Sequence, residues 1–144
     1  GGKLLIWKEK YKIGVPLIDQ QHKELFHRVE DFVVILRSDG AWEEKLAKVK
    51  STMEFMKDYV VVHFHDEEEY QKKVDYPGRE MHKKIHTDFA AEVLEFARKF
   101  SDEGYDEDLV QKFAGKLLAW LINHVAAEDQ RIGRWVESLG GEQA

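Results

Sequence analysis

The sequence predicts an all-α protein, an up-down-up-down antiparallel four-helix bundle with a non-helical N-terminal arm. Three observations carry that expectation. Apolar residues recur at alternating steps of three and four in four long blocks, the spacing of a bundle seam. The blocks are separated by short breakers at 38–40, 75–78 and 101–104, rich in Ser, Asp, Gly and Pro, so successive helices turn back on one another. At one level of these seams, His and carboxylate residues stand where apolar ones are expected.

Residues 1–18 read as the arm. Trp7, Tyr11, Ile13, Val15, Leu17 and Ile18 are apolar, and Gly14 and Pro16 interrupt a helix. The arm is expected to lie across the bundle with Trp7 packed down. Asp19 suits an N-cap, which starts the first helix at about 20 and runs it to 37. Its inner face is His22, Leu25, Phe26, Val29, Phe32, Val33 and Leu36. The second helix spans about 42–73, with seam Leu46, Val49, Met53, Met56, Val60, His63, Glu67 and Tyr70. Asp75-Tyr76-Pro77-Gly78 is a turn. The third helix spans about 79–100, with seam His82, His86, Phe89, Val93, Phe96 and Phe100. The fourth spans about 106–138, with seam Val110, Phe113, Leu117, Leu121 and His124, and with Trp120, Ile132 and Trp135 also apolar. Gly140-Gly141 ends it, and the last residues are expected to fray. The whole, 1–144, reads as one domain, with the bundle over about 19–138.

A length of 144 residues suits one domain with a sizeable core. With 43% hydrophobic and 35% charged residues the chain is of the folded, globular class. A net charge of -6 argues against nucleic acid or an anionic membrane surface as the main partner. No apolar run approaches the ~18 residues of a membrane span. Leu4-Leu5-Ile6 is too short for the apolar stretch of a signal peptide, so a cytoplasmic setting is the expectation. Cysteine is absent, which excludes disulfides and thiolate metal ligands.

The stretch 63–86 concentrates the chemistry. His63 and Glu67 are four residues apart, as are His82 and His86, and such pairs share a helix face. Glu67 lies about nine residues before the turn and His86 about ten after it, so at 1.5 Å rise they reach nearly the same height. The same counting brings His22 and His124 within one or two turns of that level. A lone His on an apolar face is usually a hydrogen-bonded core residue. Burying this many polar groups without a shared partner would cost about 1–3 kcal/mol for each one left unsatisfied, and a metal would satisfy them together. His65 and His27 fall off the inner face, and Asp66, Glu68 and Glu69 read as a solvated charge run, with Asp66 partly on the face of His63. In the fourth helix Glu128, four residues after His124, has the better ideal-helix geometry. Asp129, five residues after it, lies about 140° away unless the helix widens locally as a π-bulge. Imidazole and carboxylate suit iron or manganese, and zinc and copper also bind such sets, so the ligands alone do not choose the metal.

The ordered set of motifs resembles the hemerythrin family, specifically its bacterial single-domain members. It comprises Trp7, IGVPLIDQQHKELF at 13–26, HFHDEE at 63–68, YP at 76–77 followed by HKKIH at 82–86, and WLINHVAAED at 120–129. The resemblance implies a non-haem di-iron centre with an oxo or hydroxo bridge. One iron would take His82, His86 and His124; the other would take His22 and His63 and keep an open position for O2. Glu67 and Asp129 would bridge them, which favours Asp129 over Glu128. Phe26, Phe64, Ile85, Phe89, Leu121 and Val125, placed near the ligands, are candidate walls of the O2 pocket. The implied function is reversible O2 binding for transport, storage or sensing, without catalysis. The alternative is a di-iron enzyme that reduces O2, peroxide or nitric oxide. Ferritin-like O2-activating bundles use two Glu-x-x-His motifs, and here Glu24 to His27 is the only one. Hemerythrin-like domains also resemble ones joined to signalling modules, and the Gly1-Gly2 start is compatible with a place in a larger signalling protein.

Overall fold

The structure, a computed structural model, describes residues 7–140. The expectations for Gly1-Gly2, Leu4-Leu5-Ile6, the first third of the arm and the end beyond Gly140 lie outside the described residues. A 3-10 turn, Glu9–Tyr11, precedes α1 (Pro16–Arg37), α2 (Trp42–Lys73), α3 (Arg79–Glu103) and α4 (Glu107–Trp120). A π-helical segment, Leu121–Glu128, then leads into α5 (Asp129–Ser138). The backbone stays helical through both junctions, so α4, the π segment and α5 form one rod. The result is an all-α four-helix bundle in which α1 packs on α2 and α4, and α2 on α3. Among the described residues no helix is long and apolar enough to cross a membrane.

The seams expected from the sequence form the core. Leu25, Val29, Phe32, Val49, Met53, Met56, Val93, Phe100, Val110, Phe113 and Leu117 are buried in one cluster. Leu36 and Phe96 are partly buried against it, and Leu46 is half-buried. A smaller cluster at the other end joins Ile13, Val15 and Ile18 to Tyr70, Val74, Ile132 and Val136. The polar layer lies between the two. Trp135 closes this end by donating its indole N–H to the Val74 carbonyl at 2.7 Å.

Three boundaries differ from expectation. The first helix begins at Pro16 rather than near residue 20, and Val15, not Asp19, is its N-cap. Pro16 does not block the helix; at the first turn its fixed φ is already helical and its missing N–H has no partner to lose. Leu17 therefore belongs to α1 and is 58% exposed. Asp19 instead reaches backwards, accepting the N–H groups of Ile13 at 2.7 Å and Gly14 at 3.1 Å. The third helix continues to Glu103 and stops at Gly104, whose φ of +88° favours glycine. The fourth rod starts at Glu107, with Asp106 as the cap accepting Leu109 N–H.

The described part of the arm lies on the bundle as expected. Trp7 meets Phe26 edge-on with centroids 5.4 Å apart, and Tyr11 stacks on Phe26 at 5.4 Å. Gln130 donates to the Tyr11 carbonyl at 2.6 Å. The arm crosses α5 so closely that a Cβ at Gly133 would sit 3.1 Å from Ile13 Cα. Asp19→Ala is expected to lower unfolding stability by about 1–3 kcal/mol, because two backbone donors lose a charged acceptor; the shift in the urea midpoint measures it.

Candidate metal centre

Each helix delivers its polar residues to the same layer. α1 carries His22. α2 carries His63 and Glu67, and α3 carries His82 and His86, each pair one turn apart on an inner face. The turn between them is held by Val74 N–H to the Tyr70 carbonyl and Tyr76 N–H to the Gln71 carbonyl. Asp75 takes a positive φ of 52° there, a conformation Asp tolerates better than most residues.

The π segment settles the choice between Glu128 and Asp129 as to which faces the layer. Asp129 N–H donates to the His124 carbonyl five residues back, so one turn holds an extra residue. His124 and Asp129 thereby share the inner face, 2% and 0% exposed. Glu128 is half-buried on the flank, with Arg131 3.6 Å away.

All five imidazoles point Nε2 inward. His82 Nε2 lies 2.8 Å from Glu67 Oε1 and 2.8 Å from Asp129 Oδ1. His86 Nε2 is 3.2 Å from Glu67 Oε1, and His124 Nε2 is 3.2 Å from Asp129 Oδ1. The opposite oxygens serve the other side. His22 Nε2 is 3.1 Å from Glu67 Oε2 and 3.0 Å from Asp129 Oδ2, and His63 Nε2 is 3.2 Å from Glu67 Oε2. The layer thus divides into two ligand groups: Glu67, His82, His86, His124 and Asp129; and His22, His63, Glu67 and Asp129. The two carboxylates belong to both.

Hydrogen bonding alone does not satisfy this layer. His82 and His86 Nε2 both approach His124 Nε2, at 3.1 and 3.2 Å. Three imidazole nitrogens crowd one point where at most a single proton could be shared between two of them. His63 Nε2, Glu67 Oε1 and both Asp129 oxygens are buried, and their close contacts are not aligned as hydrogen bonds. The donor set, five imidazoles and two carboxylates with no thiolate, fits two divalent first-row cations.

The electrostatics agree. Burial disfavours charge on His22 and His82, but the close carboxylates of Asp129 and Glu67 outweigh it and push both up to about 10. Glu67 is held well below the usual carboxylate range: burial opposes this, and the four imidazoles of His22, His63, His82 and His86 win. Asp129 is lowered too, against burial and the Glu67 charge, chiefly by His124 and His22. His63 is lowered, mainly by burial. Two buried carboxylates therefore demand positive charge, which protons meet in the metal-free protein and cations would meet better.

The residues around the layer complete the site. Phe64 lies flat on His86, centroids 3.9 Å apart and planes 3° from parallel. Trp120 stacks on His124 at 4.7 Å, and Phe89 stacks on Trp120 at 4.3 Å. Leu121 and Val125 are fully buried within the π segment. Phe26 is buried under Trp7 and Tyr11 of the arm, and Ile85 is half-buried at the bundle surface. His27 and His65 are exposed, as the periodicity indicates.

Sequence reasoning missed the outer partners of the imidazoles. Glu68 is not part of a solvated run: its Oε2 is 2.9 Å from His86 Nδ1. Asp66 accepts from Gln21 Nε2 at 2.7 Å, and Gln21 Oε1 lies 2.6 Å from His63 Nδ1. Tyr59 stacks on His63 at 4.7 Å and donates its hydroxyl to the Gln21 carbonyl. The signal for Asp66 was its position three residues after His63; Gln21 and Glu68 become visible only once helices are placed side by side. Glu69 is exposed, 3.5 Å from Lys72, so only this member of the run faces solvent as expected.

Comparison with known proteins bears on this arrangement. The family model described as "Hemerythrin HHE cation binding domain" matches residues 13–136. The chain is similar to a bacteriohemerythrin of Stenotrophomonas maltophilia, 31% identical over 88% of this chain and 78% of the relative. It is 27% identical to a bacteriohemerythrin of Clostridium acetobutylicum over 88% of this chain and 97% of the relative. A myohemerythrin of Theromyzon tessulatum is 31% identical over 85% of this chain and 86% of its own length. Matched from the end of the arm to the last turns of α5, the chain belongs to the hemerythrin family.

Proposed function

We propose that this chain binds O2 reversibly at a pair of iron ions held by His22, His63, Glu67, His82, His86, His124 and Asp129. The observation that carries this reading is the sharing of Glu67 and Asp129 between two ligand groups, with three imidazoles on one side and two on the other. Bound there, the iron pair would supply electrons to O2 and take them back on its release. Five imidazoles and two carboxylates leave the two-His side one donor poorer, which is where a small exogenous ligand has room. Glu67 and Asp129 present one oxygen to each side and would hold both ions. Phe64, Phe89, Trp120, Leu121 and Val125 surround the His86 and His124 end with apolar surface and exclude water. That apolar cover shields the side of His86 and His124 and leaves the side of His22 and His63 as the one open to a small ligand.

Metal counting by mass spectrometry, with absorption spectra through anaerobic reduction, air exposure and degassing, tests the proposal. Two irons per chain and a visible band that appears with O2 and bleaches on degassing are expected. Irreversible oxidation with steady O2 consumption would point instead to an enzyme that reduces O2, peroxide or nitric oxide. Zinc, or no metal, in protein produced with ample iron would overturn the di-iron assignment.

A further inference from the structure

The two sides of the layer differ in what holds their imidazoles from behind. His86 Nδ1 faces the carboxylate of Glu68 at 2.9 Å, and that side chain is 26% exposed. A carboxylate only accepts, so Nδ1 donates to Glu68, and when Nε2 is unprotonated its lone pair faces the layer. His63 Nδ1 faces a neutral group, Gln21 Oε1, at 2.6 Å. That amide is itself oriented: Asp66 Oδ2 accepts from Gln21 Nε2 at 2.7 Å, which turns the amide oxygen toward His63. Both rings are oriented with Nδ1 toward an acceptor and Nε2 toward the layer, but one is backed by a negative charge and the other by a dipole. The Nδ1 atoms of His22 and His124 are buried with no hydrogen-bond partner.

Access differs in the same sense. A cavity of about 260 Å³, lined by Gln20, Gln21, Glu24, Tyr59, Val62 and His63, reaches the His63 side from the surface. On the other side a cavity of about 180 Å³ reaches Glu68 but is lined by none of the inward-facing histidines, and Phe64 covers the face of His86.

We propose that Glu68 and Gln21 are positioning residues that widen the inequality of the two metal positions beyond their donor count: the position of His82, His86 and His124 binds first and tightly, and that of His22 and His63 is the labile one, exchanging through the Gln21 cavity. This inference rests on the two-metal reading above. A carboxylate behind an imidazole raises its basicity and its strength as a donor, and outer partners of metal-bound His are typically worth about 10–100-fold in affinity.

The test changes the charge of each acceptor while keeping its hydrogen bond. Glu68→Gln puts an amide oxygen behind His86. Gln21→Glu with Asp66→Asn puts a carboxylate behind His63 and retains a donor to hold it; Gln21→Glu alone would set two carboxylates against each other. Zinc(II) is titrated into metal-free protein by calorimetry against a competing chelator, with circular dichroism of each metal-free variant as the check on folding. Glu68→Gln is expected to weaken the tighter constant about 10-fold or more and leave the weaker one in place. The double variant is expected to tighten the weaker constant and slow zinc loss to chelator, leaving the tighter one in place. A shift of both constants together would mark a merely structural role and overturn the inference, as would no shift in either variant. A wild-type chain that binds a single zinc would instead overturn the two-metal reading itself.

Discussion

Asp129→Ala is expected to lose most of its bound iron, whereas Glu128→Ala retains it. Asp129 is fully buried, with one oxygen 2.8 Å from His82 Nε2 and the other 3.0 Å from His22 Nε2. On the proposed two-iron site, its removal would take a ligand from both positions at once. Loss of an outer partner alone costs about 10–100-fold in metal affinity, so loss of a shared ligand should exceed about 100-fold. Glu128 meets Arg131 on the flank, at 3.6 Å, a surface pair worth little. Iron counted by mass spectrometry after gel filtration with chelator separates the two variants. Two irons retained in Asp129→Ala, or lost in Glu128→Ala, would refute the assignment of the bridge. The comparison also tests the π segment, because in an uninterrupted α-helix the two residues would exchange roles.

The second large effect is on pH. In the metal-free protein His22 and His82 are pushed up to about 10, above the ordinary value near 6.5. Both are therefore protonated at neutral pH, and their contribution to the stability of the metal-free fold is fully present below about pH 6.5. It is lost as pH rises from there through about 10. As proposed ligands, both imidazoles must be unprotonated to hold metal, so binding would displace two protons. The product of the two metal constants is then expected to rise roughly a hundredfold per pH unit over that window, since each proton contributes a factor of about 10 per unit. The gain in Tm on loading should widen in parallel, small near pH 6.5 and large near pH 9. Calorimetry of zinc binding near pH 7.5 in buffers of different ionisation enthalpy should count about two protons released for the two displaced. No proton release would show that the carboxylates do not hold these imidazoles charged.

The bundle was legible because its physical signal is local and repeated. Leu25, Val29 and Phe32 on one helix, and Val49, Met53, Met56 and Val60 on the next, each continue a face that must be buried. The breakers could be read with equal ease, apart from Pro16 and Asp19. There two principles competed: Pro interrupts helices but also opens them, and a carboxylate near a helix start can cap forwards or tie down the chain behind it. The Ile13 and Gly14 amides, which have no helical partner, decided for the second.

The polar layer was legible for the same reason as the core. His63 with Glu67 and His82 with His86 sit one turn apart, and the lengths of α2 and α3 from their shared turn bring both pairs to one height whatever the details of packing. The amino-acid sequence by itself thus determined the helices, their antiparallel order and a layer rich in imidazole, because each of these follows from spacing along a single helix. Ideal-helix spacing favours Glu128, and among sequence signals the family resemblance alone pointed to Asp129; the i to i−5 hydrogen bond that turns Asp129 to the layer is seen only in the tertiary structure. The tertiary structure alone paired Gln21 with His63 and Glu68 with His86. Those contacts join different helices, and their existence depends on how closely two backbones approach and how they are rotated, quantities that no periodicity along one chain segment contains.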